Sequence, residues 1–134
     1  MTDPVLVGVV AAHRRGQPLH HELLALGAGF VRTERTAPCY RLLALDSVDV
    51  PRGGLVRVAE GGAEVEIELY RMPVAAVGRL VVGLPAPLAV GRLALTGGGS
   101  ALGIVCESWV TDTARDVTAH GSWLAYLATQ VATG

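Results

Sequence analysis

A chain of 134 residues, half of them apolar and a sixth charged, with a net charge of -1, has the size of one domain and can bury roughly 68–70% of its unfolded surface. These balances exclude the disordered class and argue against a strongly charged partner, so nucleic acid is not an expected ligand. All 11 basic residues are Arg, and a chain without Lys has no Schiff base, P-loop or Ser-Lys nucleophile.

Cys39 and Cys106 lie in apolar contexts without CxxC spacing, which predicts reduced core thiols and neither a disulfide framework nor a metal site. No cofactor is expected. The N-terminus has no basic run, and Gly and Pro break each apolar stretch, such as Leu80 to Val90, short of membrane-spanning length. A soluble, cytoplasmic protein off the membrane is the expectation.

In chain order, the apolar run Val5 to Ala12 predicts a strand buried on both faces, ending at His13. Arg14 to Pro18 forms a polar turn, and Leu19 to Leu26 a helix with Leu19, Leu23 and Leu26 at helical spacing and Gly27 closing it. Phe30 to Thr36 and Tyr40 to Leu45 read as strands broken at Ala37-Pro38, followed by a loop from Asp46 to Gly54. Leu55 to Val58 and Ala63 to Arg71 flank Glu60-Gly61-Gly62 as a hairpin. Glu64, Glu66 and Glu68 take one face, opposite Val65, Ile67 and Leu69; such a row could supply an acid or base, but at period two it is usually the solvent face of a strand. Pro73 starts a helix to Val82, apolar nearly all round, with Gly83 closing it. After the Leu84 to Gly91 connector, Arg92 to Leu95 and Ala101 to Thr111 are strands across a Gly-rich turn. A final helix starts near Ser122 with Trp123, Leu127 and Val131 on one stripe. No repeat or second domain is visible.

Chemistry concentrates where the first strand ends. His13 opens a Gly-containing loop before a helix, where α/β architectures gather ligands; a purely structural role, capping the strand by a bond to backbone, is the alternative. As a loop residue it is expected to add little burial. Arg14 and Arg15 can hold a carboxylate, and the N–H groups of the turn can cradle an anion, although solvated arginines are commoner. Arg32 and Arg35 point to opposite faces of their strand, and Arg35, beside the break at Thr36-Ala37-Pro38, is taken as the pocket-facing one. His20 and His21 lie about 100° apart on a helix, unlike an i, i+4 metal pair. Glu107, among Ile104, Val105, Cys106 and Trp109, is either buried and paired or turned outward by alternation.

Three segments together resemble the C-terminal domain of allophanate hydrolases, which has the γ-glutamylcyclotransferase-like fold. They are Val7 to Leu19 (VGVVAAHRRGQPL), Phe30 to Leu42 (FVRTERTAPCYRL), and Gly103 to Glu107 (GIVCE) with Asp116 to Leu127 (DVTAHGSWLAYL). The connector Pro85-Ala86-Pro87-Leu88 adds to the likeness, which covers almost the whole chain. The departures are Ala11 in place of a Gly, Arg14 in place of an apolar residue, and His20 in place of an Asn. The Tyr-Gly-Ser-Leu type loop and separate acidic base of the wider cyclotransferase group are not found.

The resemblance implies an α+β fold with a mixed, partly closed, barrel-like sheet and about three helices, forming a single domain over residues 1–134. It implies decarboxylation of N-carboxycarbamate, the product that an amidase makes from allophanate, with His13 as catalytic residue. Ala12, Arg14, Arg15, Gly16, Pro18, Leu19, Arg35, Tyr40 and Glu107 are its candidate substrate-binding residues. The expected ligand is a small carboxylated amide or carbamate. Read as a stand-alone chain, the protein would work beside a separate amidase; the alternatives are a non-catalytic binding or assembly module, or an enzyme acting on another small amide. The high apolar content makes a homodimer an expectation to test.

Overall fold

The computed structural model of the chain describes residues 4–45 and 49–133. Its elements are β1 (Pro4–Val9), α1 (His20–Ala25), β2 (Gly29–Arg35), β3 (Tyr40–Leu45), β4 (Arg52–Arg57), β5 (Glu66–Pro73), α2 (Val74–Val82), β6 (Leu88–Ala94), β7 (Ser100–Cys106), β8 (Arg115–Asp116) and α3 (Trp123–Thr133). Short 3₁₀ turns at Ser108–Val110 and Thr118–His120 flank β8. None of the described helices is long and apolar enough to cross a membrane.

The strands form one mixed sheet in the order β2-β5-β1-β7-β4-β3-β8, with β6 branching from β7. β7 pairs in parallel with β1 and β4, and every other ladder is antiparallel. The ladder does not close into a continuous barrel. An isolated bridge, Thr36 to Leu95, links the end of β2 to the end of β6. The expected α+β class and three helices are thus present.

β1 is central, between β5 and β7, which is why Val7 and Val9 are wholly buried, as its unbroken apolar run requires. One face of the sheet packs Val7, Val9, Leu43 and Met72 against Leu23 of α1 and Leu80 of α2. The other buries Leu42, Leu55, Ile67 and Leu93 with Trp123. Ser122 caps α3, its Oγ accepting the Ala125 N–H at 3.1 Å.

Several boundaries differ from the sequence reading. β4 begins at Arg52, so only part of the Asp46 to Gly54 segment is loop, and residues 46–48 lie outside the described residues. The Gly53-Gly54 pair lies in the strand: added Cβ atoms would come within 2.8 Å of Trp123 Cε3 and onto Cys106 Sγ. The expected β4–β5 hairpin does not form, because β4 pairs with β3 and β7 while β5 pairs with β1 and β2. Its Gly run serves another contact, since a Cβ on Gly62 would lie 2.5 Å from the Cys39 carbonyl carbon, and Ala63 bridges Tyr40. β6 already starts at Leu88, in register with all of β7, and β7 stops at Cys106. On α3 the apolar stripe reaches the surface at Val131, which is 81% exposed.

Candidate functional site

Between β1 and α1 the chain winds through consecutive turns. The Arg14 N–H donates to the Ala11 carbonyl at 3.1 Å, Gln17 N–H to Arg14 at 3.0 Å, and Leu19 N–H to Ala12 at 2.9 Å. Gly16 supplies the one left-handed residue of this loop, at φ 80°. The winding is tight enough that neighbouring side chains serve opposite sides of the loop.

On one side lies Glu68, placed by the register that sets it opposite Val9 at the end of β1. The sequence assigned it to a solvent face, but it is 2% exposed. Its carboxylate accepts Arg14 Nε at 3.2 Å, the Arg15 backbone N–H at 2.9 Å and the Tyr70 hydroxyl at 3.0 Å. Arg14, itself 2% exposed, also reaches Glu66 Oε1 at 2.5 Å. Burial pushes the Glu68 carboxyl upward, yet these donors together hold it below the usual carboxylate range. Burial and the Glu68 carboxylate raise the Tyr70 phenol well above its ordinary value. Arg15 lies over the Phe30 ring, 3.8 Å from its centroid. Arg14 and Arg15, expected to hold a substrate's carboxylate, therefore grip two of the protein's own.

On the other side, His13 lines a narrow recess with Val10, Ala11, Ala12, Arg52, Gly53, Leu88 and Ile104. The recess holds about 10 Å³, the space of roughly one water. His13 is 5% exposed, more buried than its loop position predicted. Burial first, and then the charge of Arg52, lower its pKa to about 4, with Asp49 opposing them, so the imidazole is neutral at pH 7. Arg52 is buried and paired with Asp49, Nη2 to Oδ2 at 2.5 Å and Nε to Oδ1 at 3.3 Å. A neutral proton acceptor, a guanidinium and a carboxylate thus meet where β1 ends.

Of the sequence-predicted site residues, only His13 and Ala12 line this recess. Gly16 and Pro18 are exposed on the loop and Leu19 is buried in the core. Arg35 is exposed at the end of β2. Tyr40 is a core residue whose hydroxyl accepts the Ala94 N–H at 2.9 Å. Glu107 is exposed and accepts Trp109 Nε1 at 3.0 Å, because β7 ends before it. His20 supports the loop, its Nδ1 3.0 Å from the His13 carbonyl oxygen. Among the described residues no group of three His, Cys, Asp or Glu side chains is placed to hold a metal. Burial pushes the Cys106 thiol up to about 12, consistent with a core thiol.

Glu68 entered the sequence reading only in a row of glutamates placed on a solvent face, and Arg52, Asp49 and Tyr70 escaped it. Of those three only Arg52 left a signal, as a charge directly before Gly-Gly. A wider groove of about 740 Å³ runs between β3, β8 and α3, bordered by Leu45, Pro51, Arg115, Trp123 and Tyr126 among others. Its described lining includes no acid, histidine or thiol, whereas the smaller recess holds His13 and Arg52.

The sequence pattern of the allophanate hydrolase C-terminal domain matches residues 5–128. The chain belongs to this family. It is 32% identical over 126 residues to the urea amidolyase of Saccharomyces cerevisiae, a match that covers 91% of this chain and 7% of that protein. Solved structures are also similar to the chain. A uropathogenic E. coli-specific protein superposes with a TM-score of 0.87 at 36% identity, covering 96% of this chain and 98% of that one. Kluyveromyces lactis allophanate hydrolase superposes with a TM-score of 0.88 at 30% identity, covering 95% of this chain and 21% of that one. An aig2-like protein of Mus musculus, at 20% identity and a TM-score of 0.60, shares the fold alone.

Proposed function

We propose that this domain decarboxylates N-carboxycarbamate in urea and allophanate nitrogen metabolism, working beside an amidase that supplies the substrate. The observation that carries the reading is a buried neutral imidazole next to a guanidinium, at the end of β1 in a member of this family. The substrate is a dianion with one carboxylate on either side of an N–H. Its charge beside His13 opposes the burial and the Arg52 field that hold the imidazole neutral, so binding raises the histidine's proton affinity. His13 then takes one proton from solvent and passes it to the nitrogen as the C–N bond breaks. CO₂ leaves with neither electron of that bond, and carbamate remains as product.

The test generates the substrate in situ with an isolated amidase domain and follows CO₂ and ammonia. Release faster than the spontaneous rate, in proportion to the amount of this protein added, is expected. No acceleration at any concentration would sink the enzymatic reading. It would favour a binding or assembly role, for which the small volume of the recess, about 10 Å³, speaks. In the S. cerevisiae relative the matched region is 7% of a larger protein, which is consistent with work beside an amidase.

A further inference from the structure

Arg52 begins β4 opposite Leu45 of β3, and the sheet holds its guanidinium at 5% exposure in the wall of the His13 recess. A guanidinium does not give up its proton in a protein, so one buried this deeply requires a permanent counter-charge. Asp49 supplies it through two contacts, at 2.5 and 3.3 Å, while 44% of its own side chain remains exposed. The pair is asymmetric. The cation is fixed in the wall, and the anion stands at the surface on the short connection into β4, its Oδ1 also accepting the Val50 N–H at 2.6 Å.

The recess has room for about one water, so any larger ligand must displace a group. Among the described residues Asp49 is the charged group nearest the guanidinium, and it is the more exposed half of the pair. We propose that Arg52 is the carboxylate-binding group of the His13 recess and that Asp49 is its built-in competitor, so that the site opens to anionic ligands and stays shut to neutral ones. Exchange of one carboxylate for another leaves Arg52 compensated throughout. A neutral amide that displaced Asp49 would strand a buried cation. This inference rests on reading the recess as the functional site but not on decarboxylation, and it narrows the substrate class to small carboxylates.

Malonate is the probe, because it replaces the N–H of N-carboxycarbamate by CH₂ and offers no nitrogen to protonate. Titration calorimetry on the full chain compares it with malonamide, its neutral counterpart. Malonate is expected to bind at least about 100-fold more tightly than malonamide. Asp49→Asn, which removes the competitor, should tighten malonate about tenfold, and Arg52→Gln should abolish binding. The malonamide comparison uses the parent chain, so it decides the matter even if Arg52→Gln or Asp49→Asn does not fold. Equal binding of the two ligands, no gain in Asp49→Asn, or no malonate binding at all would each overturn the proposal. Malonate binding without substrate turnover would remove decarboxylation and leave this inference standing. Turnover that malonate does not inhibit would do the reverse.

Discussion

His13 and Arg14 are neighbours in one loop and both are at least 95% buried, yet their surroundings differ in kind. Arg14 enters a filled network in which Glu66 and Glu68 answer its charge and the Arg15 N–H and Tyr70 hydroxyl complete Glu68. His13 borders unfilled space beside a cation whose counter-ion stands at the surface. The first arrangement resists change because each donor and acceptor in it is matched at close range. The second can exchange a partner. Burial alone therefore does not separate the two sides of the loop; the difference lies in whether the polar groups border unfilled space.

If that contrast holds, the largest effect belongs to the recess. His13→Ala should lower turnover by about 10²–10⁴-fold, measured in the coupled amidase assay. Burial of the imidazole raises the expected stability cost to about 1–3 kcal/mol by denaturant unfolding, above that of an open loop residue. His13→Asn keeps a donor and an acceptor without a titratable proton, so substantial residual turnover would mean positioning rather than proton transfer. The same variant isolates a pH effect. With the His13 pKa lowered by burial to about 4, against 6.5 for a free imidazole, the unfolded state binds more protons between those values. Wild-type stability should therefore be full above 6.5, fall as pH drops toward 4 and then level, and His13→Asn should lose that slope.

On the anchored side, Glu68→Ala leaves the buried Arg14 guanidinium with Glu66 alone and takes the acceptor from the Arg15 N–H and the Tyr70 hydroxyl, and should cost about 3–5 kcal/mol. Glu68→Gln, which keeps an acceptor, should cost less. An equal loss of turnover in both, with melting temperatures unchanged, would erase the distinction between the two sides. Gly53, which walls the recess and touches Trp123, tests how closely the space is held. A Cβ there would lie 2.8 Å from Trp123 Cε3 and 3.0 Å from Ala11 Cβ. Gly53→Ala should cost about 1–3 kcal/mol by overpacking, with a rise in KM if the recess narrows. The smallest effect is Arg15→Ala, which removes the exposed contact to Phe30 but leaves the backbone N–H on Glu68. A cost of about 0.5–1 kcal/mol is expected, and turnover should stay intact.

The sequence by itself determined most of the local elements and singled out the loop at the end of β1. An unbroken Val-rich run can only be a strand covered on both faces, Pro73 and Gly83 bound α2, and Trp123 heads α3 as its spacing requires. His13 was legible because the run stops at it and a Gly-containing loop follows. Only the tertiary structure decided what His13 faces. Arg52 comes 39 residues after it and Glu68 55 residues after it, and which of them meets which side of the loop depends on strand order and register. Local turn chemistry does not encode that order. The Gly61-Gly62 signal read as a hairpin serves a close backbone approach to Cys39 instead, and the period-two glutamates read as solvated because alternation cannot show that a loop will cover one of them. A charge buried by a distant segment looks, in sequence, like a charge in water; its partners become visible only when long-range pairing brings them within hydrogen-bond distance.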